Sequence, residues 1–167
     1  MPSPAIRLLA LQRAFFVLFP FMLAGAQANP RPATPGVDYS GMYSFLREGE
    51  FVQVTVGDQG RVTGFVSRYG DSEGDRGAFL DHFFKSGKLD GNALTFTTET
   101  VQGVSFEFRG TVERGEGKSR GDEAYYVLKG TLVENTTDEA KKTSSQSREV
   151  VLKSFPQDVV PAQAEKK

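Results

Sequence analysis

Val104-Ser105-Phe106-Glu107-Phe108-Arg109-Gly110-Thr111-Val112 alternates with a period of two: Val, Phe, Phe, Gly and Val share one face, and Ser, Glu, Arg and Thr share the other. This is the pattern of a half-buried antiparallel strand, and it recurs in both directions along the chain. Phe51-Val52-Gln53-Val54-Thr55-Val56 is β-branched and alternating, Gly57-Asp58-Gln59-Gly60 supplies turn residues, and Arg61-Val62-Thr63-Gly64-Phe65-Val66 resumes the pattern. Together they predict a hairpin. Further strands are read over 39–46, 79–89 with a split near Ser86-Gly87, 93–100, 124–134 and 148–155. The connections 70–78, 115–122 and 135–146 are polar, carry charges of both signs and read as loops.

Glycine adds a second signal. Phe108-Arg109-Gly110-Thr111-Val112 and Leu128-Lys129-Gly130-Thr131-Leu132 are nearly the same phrase, and Val62-Thr63-Gly64-Phe65-Val66 is a looser version. A glycine inside a strand marks sharp coiling or close backbone approach, as when a sheet closes into a barrel. Closure also removes exposed edges. The fold predicted is all-β: an antiparallel up-and-down meander barrel of about eight strands, with a β-sandwich as the alternative.

Gly41-Met42-Tyr43, followed by the 51–56 strand, Gly57-Asp58-Gln59-Gly60 and Arg61-Val62-Thr63-Gly64-Phe65, resembles the opening of an avidin or streptavidin barrel. In that family a Gly-x-Trp strand leads into a hairpin ending in a Leu-Thr-Gly phrase, and lipocalins share a similar start. The resemblance covers about 25 residues and implies an eight-stranded up-and-down barrel. Tyr43 stands in the place of the first-strand Trp, and the chain contains no tryptophan. The resemblance therefore implies a shape and carries nothing about biotin, since fold alone does not fix activity.

The N-terminal stretch carries Arg7 and Arg13 and no acid, then the apolar run from Ala14 to Ala24, then Ala26-Gln27-Ala28. That order reads as a secretory signal over 1–28; the run is too short, and too interrupted by Pro20, for a membrane span. Residues 29–37 are proline-rich and read as a linker, 38–156 as the barrel domain, and 157–167 as a disordered tail. The expected location is secreted or periplasmic. With 20 Lys and Arg against 21 Asp and Glu the chain has a net charge of −1, and loss of Arg7 and Arg13 takes it to −3. A mildly acidic surface disfavours general nucleic-acid binding. No cysteine is present, so disulfides and thiolate chemistry are excluded.

His82 is the single histidine and follows Asp81. Adjacent strand residues face opposite sides, so the pair does not converge and His82 reads as structural. One histidine without cysteine makes a zinc site improbable. Asp71, Glu73 and Asp75 lack the spacing of a calcium loop, and no nucleophile elbow is present. No catalytic residue, metal or cofactor is assigned. Asn135-Thr136-Thr137 fits a glycosylation sequon, a short pattern with meaning only in a eukaryotic secretory pathway.

These readings predict an exported, non-catalytic barrel that binds a small apolar or amphipathic ligand. Tyr43 stands where the barrels this chain resembles put a large aromatic at the base of the cavity, Phe106 and Tyr126 have the parity to point inward, and Arg68, in phase with Val62, Gly64 and Val66, is placed to hold an acidic head group at the mouth. A rim salt bridge from Arg68 to Asp71 or Glu73 is the plainer alternative. A filled barrel acting as an interaction module of the envelope is the competing function, and an unfamiliar enzyme site comes third.

Overall fold

Alternation in the sequence becomes alternation in burial. In the computed structural model, which describes residues 38–138 and 140–157, Val104, Phe106, Phe108 and Val112 are buried while Glu107 and Arg109 are exposed. The expected export segment, the 29–37 linker and residues 158–167 of the expected tail lie outside the described residues. Eight strands follow in order: β1 (Gly41–Ser44), β2 (Phe51–Val56), β3 (Val62–Tyr69), β4 (Phe79–Asp90), β5 (Ala93–Thr98), β6 (Val104–Arg114), β7 (Tyr126–Thr137) and β8 (Thr143–Lys153). Each pairs antiparallel with its neighbours in sequence, giving one eight-stranded sheet in the order β1 to β8. This is the up-and-down meander; the sandwich alternative is set aside.

The sheet curls until its ends meet, but only at one end of the seam. Tyr43 bridges Ser154, Phe155 N–H donates to the Met42 carbonyl at 2.8 Å, and Lys153 N–H donates to Ser44 Oγ at 2.9 Å. At the tail boundary, Gln157 Nε2 donates to the Ser40 carbonyl at 2.9 Å. Strand β1 has four residues against eleven in β8, so the Thr143 end of β8 has no strand beside it on that flank among the described residues.

Two differences from the sequence reading have physical causes. Strand β4 runs unbroken through Ser86-Gly87, because a register shift between Phe84 and Ser86 absorbs the expected split. The expected 135–146 loop is mostly hairpin, with β7 extending to Thr137 and β8 beginning at Thr143. That stretch is held by hydroxyl and amide pairs across the strands, Thr137 with Thr143 at 2.9 Å and Ser145 with Asn135 at 2.6 Å. Hydrophobic alternation therefore gives no sign of it.

The bore is filled with rings. Phe96 stacks between Phe84 and Phe108 at centroid distances of 4.3 and 5.3 Å, and Phe106 receives Phe45 and His82 edge-on, each at 5.2 Å. Leu94, Leu128, Leu132 and Leu152 close the packing. The glycine phrases serve this interior: Gly110 and Gly130 pair directly, and a Cβ on either would strike backbone of the facing strand.

Phe106 is 1% exposed, so Phe106→Ala is expected to cost about 3–5 kcal/mol through lost burial and the cavity left behind. Among the described residues the Glu107 side chain bonds only Asn135, at the surface, and Glu107→Ala should change stability by no more than about 0.5 kcal/mol. Urea melts of the two variants check the order; the reverse order would place the sheet inside out.

Candidate functional site

One end of the barrel is closed by charge. The turn after β1 carries Arg47 and Glu50, the end of β3 carries Arg68, the following loop carries Asp71, the second half of β7 carries Glu134 and the middle of β8 carries Arg148. These six, with Phe45, Leu46 and Phe106, line a recess of about 210 Å³ where the seam is open.

Glu50 organises the rim. Although only 2% exposed, its carboxylate accepts from Arg47 Nε at 2.8 Å, from Arg47 N–H at 3.1 Å and from Tyr69 N–H at 3.1 Å. A buried carboxylate with several donors is held firmly, and this one ties the β1–β2 turn to β3. Arg47 then donates through Nη2 to the Tyr69 carbonyl at 3.0 Å. Hydrogen bonding to Glu50 raises the Arg47 pKa further above its ordinary value.

Arg68 lies deeper, at 5% exposure. Its Nε donates to His82 Nε2 at 3.1 Å, and Nη1 donates to the Tyr69 carbonyl at 3.1 Å and to Asp71 Oδ2 at 2.6 Å. Nη2 has no hydrogen-bond partner among the described residues, and the guanidinium carbon lies 6.0 Å from the Phe106 ring centre. Accepting at Nε2 places the proton of neutral His82 on Nδ1, which is buried and makes no hydrogen bond of good geometry among the described residues. Burial, reinforced by the Arg68 charge, pushes the His82 pKa down, outweighing the opposite effect of the Glu99 and Val104 backbone. His82 is thus a neutral prop for a cation, and Asp81 faces away from it to receive Ser67 Oγ at 2.7 Å.

The four residues expected at the ligand fall into two groups. Arg68 and Phe106 meet at the recess. Tyr43 and Tyr126 sit instead at the closed part of the seam, where Tyr43 is 1% exposed and its hydroxyl donates to the Tyr39 carbonyl at 2.7 Å. Tyr126 packs edge-on against Tyr39 at 5.0 Å. Burial pushes the Tyr43 pKa up, so the phenol stays protonated. The salt bridge of Arg68 with Asp71 and its place at the mouth hold together.

Sequence reasoning missed Arg47, Glu50, His82, Glu134 and Arg148 as members of the site. Parity offered a signal for two of them: Glu134 is in phase with buried Leu132 and Leu128, and Arg148 with buried Leu152. Arg148 Nη2 reaches Glu134 at 2.9 Å, so the inward charges meet each other.

Three roomier depressions, of about 540, 580 and 320 Å³, are open and lie on outward-facing residues such as Thr95, Thr97, Glu107 and Arg109, on the 58–61 turn, or on the loop from Glu116 to Ala124. The outer face of β2–β4 also bears a band of rings: Phe51 to Phe65 at 5.8 Å, Phe65 to Phe83 at 5.6 Å, and Tyr69 on Phe79 at 4.5 Å. Phe79 and Phe83 are about half exposed.

No family model and no curated protein matches this chain. Among solved structures it is similar to the crystal structure of rhizavidin, with a TM-score of 0.53 and 11% identity over 77% of this chain and 86% of that one. The rhizavidin–biotin complex is also similar, with a TM-score of 0.51 and 10% identity over 70% of this chain and 99% of that one. At such identity the likeness is one of fold, and it bears out the avidin-like barrel.

His82 makes stability sensitive to acid. Above its unfolded pKa of about 6.5 the ring is neutral in both states and contributes no pH dependence. As pH falls below that value the unfolded chain takes up the proton first, so stability falls towards the depressed folded pKa. Chemical denaturation between pH 7.5 and 5 should show this loss, and His82→Gln should flatten the profile over that interval.

Proposed function

We propose that the chain is an exported, non-catalytic binding barrel that takes a small acidic amphipathic molecule in the mouth recess. The observation that carries this reading is the recess itself, where the Arg68 side chain is nearly buried and Arg148 Nε is buried without a hydrogen-bond partner among the described residues. A nearly buried guanidinium together with a buried donor that has no partner favours an anion, and the adjoining rings favour an apolar body. Binding in the bore itself is not supported, because rings fill it. The recess is smaller than the roughly 300 Å³ at which drug-sized pockets begin, so the ligand is a compact acid or a head group whose tail stays outside.

A second reading, the envelope interaction module, is favoured by a different observation: a solid interior together with the half-exposed Phe79 and Phe83 on the outer face. Contiguous exposed apolar surface of this kind marks contact sites.

Benzoate and neutral benzyl alcohol separate the two readings. Benzoate is expected to bind saturably in an NMR titration and to shift the Phe106 ring signals. Arg68→Ala should weaken benzoate by roughly tenfold or more, the scale of a charge-assisted hydrogen bond, and leave benzyl alcohol almost unchanged. No saturable binding of either probe overturns the first reading and leaves the second. Export is checked separately: intact mass of the protein recovered from its host compartment should give a chain starting at or near Asn29, and a retained 1–28 segment would refute it.

A further inference from the structure

The counter-ion of Arg68 belongs to a different class of side chain from the rest of its shell. Arg68 has 6% of its side chain exposed, whereas Asp71 has 62%. The Asp71 carboxylate spans two guanidinium groups, with Oδ2 on Arg68 Nη1 at 2.6 Å and Oδ1 on Arg47 Nη1 at 3.1 Å. Neither arginine depends on it for position. Arg47 is fixed by Glu50 and the Tyr69 carbonyl, and Arg68 by His82 and the same carbonyl. Asp71 itself touches the site only through these ion pairs, while its loop is closed at the base by Gly70 N–H to the Ala78 carbonyl and by Ser72 N–H to Asp75 Oδ1.

A carboxylate held between two pre-positioned forks, and mostly in water, is easily exchanged for another. Exposed ion pairs are individually weak, but an unpaired cation at the depth of Arg68 is costly. Some anion must therefore occupy the forks when no ligand is present. We propose that Asp71 is a resident stand-in for the ligand's carboxylate. It occupies the Arg47–Arg68 pair in the free protein, and an acidic ligand displaces it, taking the same two forks. The exchange conserves charge, so a neutral molecule of the same shape has no means of driving it. This inference rests on the mouth recess being the ligand site.

Binding is then coupled to release of the 70–78 loop, and ligand affinity is reduced by the fraction of time that Asp71 holds the site. Benzoate titrations of the protein recovered from full-chain expression, with hydrogen exchange followed in the same samples, test this. Asp71→Asn is expected to bind benzoate about tenfold more tightly, with Asp71→Ser as a second variant should the first fold poorly. In the unmodified protein, saturation with benzoate should speed exchange at Ser72 and Ala78. Faster exchange is the readout that simple removal of a negative charge does not predict. Arg68-dependent binding with unchanged affinity in the Asp71 variants, or with loop exchange unaltered at saturation, overturns the stand-in and leaves the recess. Loss of binding in all forms, unmodified protein included, overturns both.

Discussion

Phe96 stacked between Phe84 and Phe108 is the contact on which the barrel depends. With no disulfide to hold the chain, stability comes from apolar burial, and flat rings supply much of the area that a small domain can bury. Filling a narrow bore with rings forces the wall to coil. Gly110 facing Gly130, and Gly64 at φ 153° against Val54, let neighbouring backbones approach where a side chain would collide. Ring packing inside and glycine in the wall are two aspects of one constraint.

That constraint explains why the charged groups gather at one end. A bore filled by rings admits few polar groups, His82 and Thr98 among them, and the inward positions that continue past the rings carry Arg68, Glu134 and Arg148. There they meet partners from the β1–β2 turn and the 70–78 loop. Arg68 is buried by the packing of β3 against β4, and His82 supplies an acceptor without supplying a charge. The result is a deep cation whose direct ion-pair partner, Asp71, is mostly exposed.

The strand order and the inward faces were legible because period-two alternation reports burial directly, as in Val104, Phe106 and Phe108. The start of β8 was not, because Thr143 to Ser147 has no apolar face and is held by hydroxyl pairs. Arg68 was placed at the mouth by phase alone. Its contact with His82 is diagonal across the β3–β4 ladder, where Val66 faces His82 and Arg68 faces Leu80, and such a pairing depends on a register that the long 70–78 connection leaves undetermined. Tyr126, inward by phase, and Tyr43, placed by the resemblance, are both buried. What phase cannot show is that a backbone carbonyl from Tyr39 takes the Tyr43 hydroxyl and that both rings belong to the closed seam.

The seam that stops short of the mouth has a further consequence. Beyond the Tyr43–Ser154 bridge, β8 presents a row of backbone donors and acceptors with no strand beside them among the described residues, and such a row is a template for any passing extended chain. Along this stretch the sequence places Thr143, Ser144, Ser145, Gln146, Ser147, Arg148 and Glu149, and delays Val150 and Val151 until the approach to the bridge. Hydroxyls and a charge of each sign make poor material for a dry β-zipper. The open stretch beside the mouth is thereby kept inhospitable to a foreign strand.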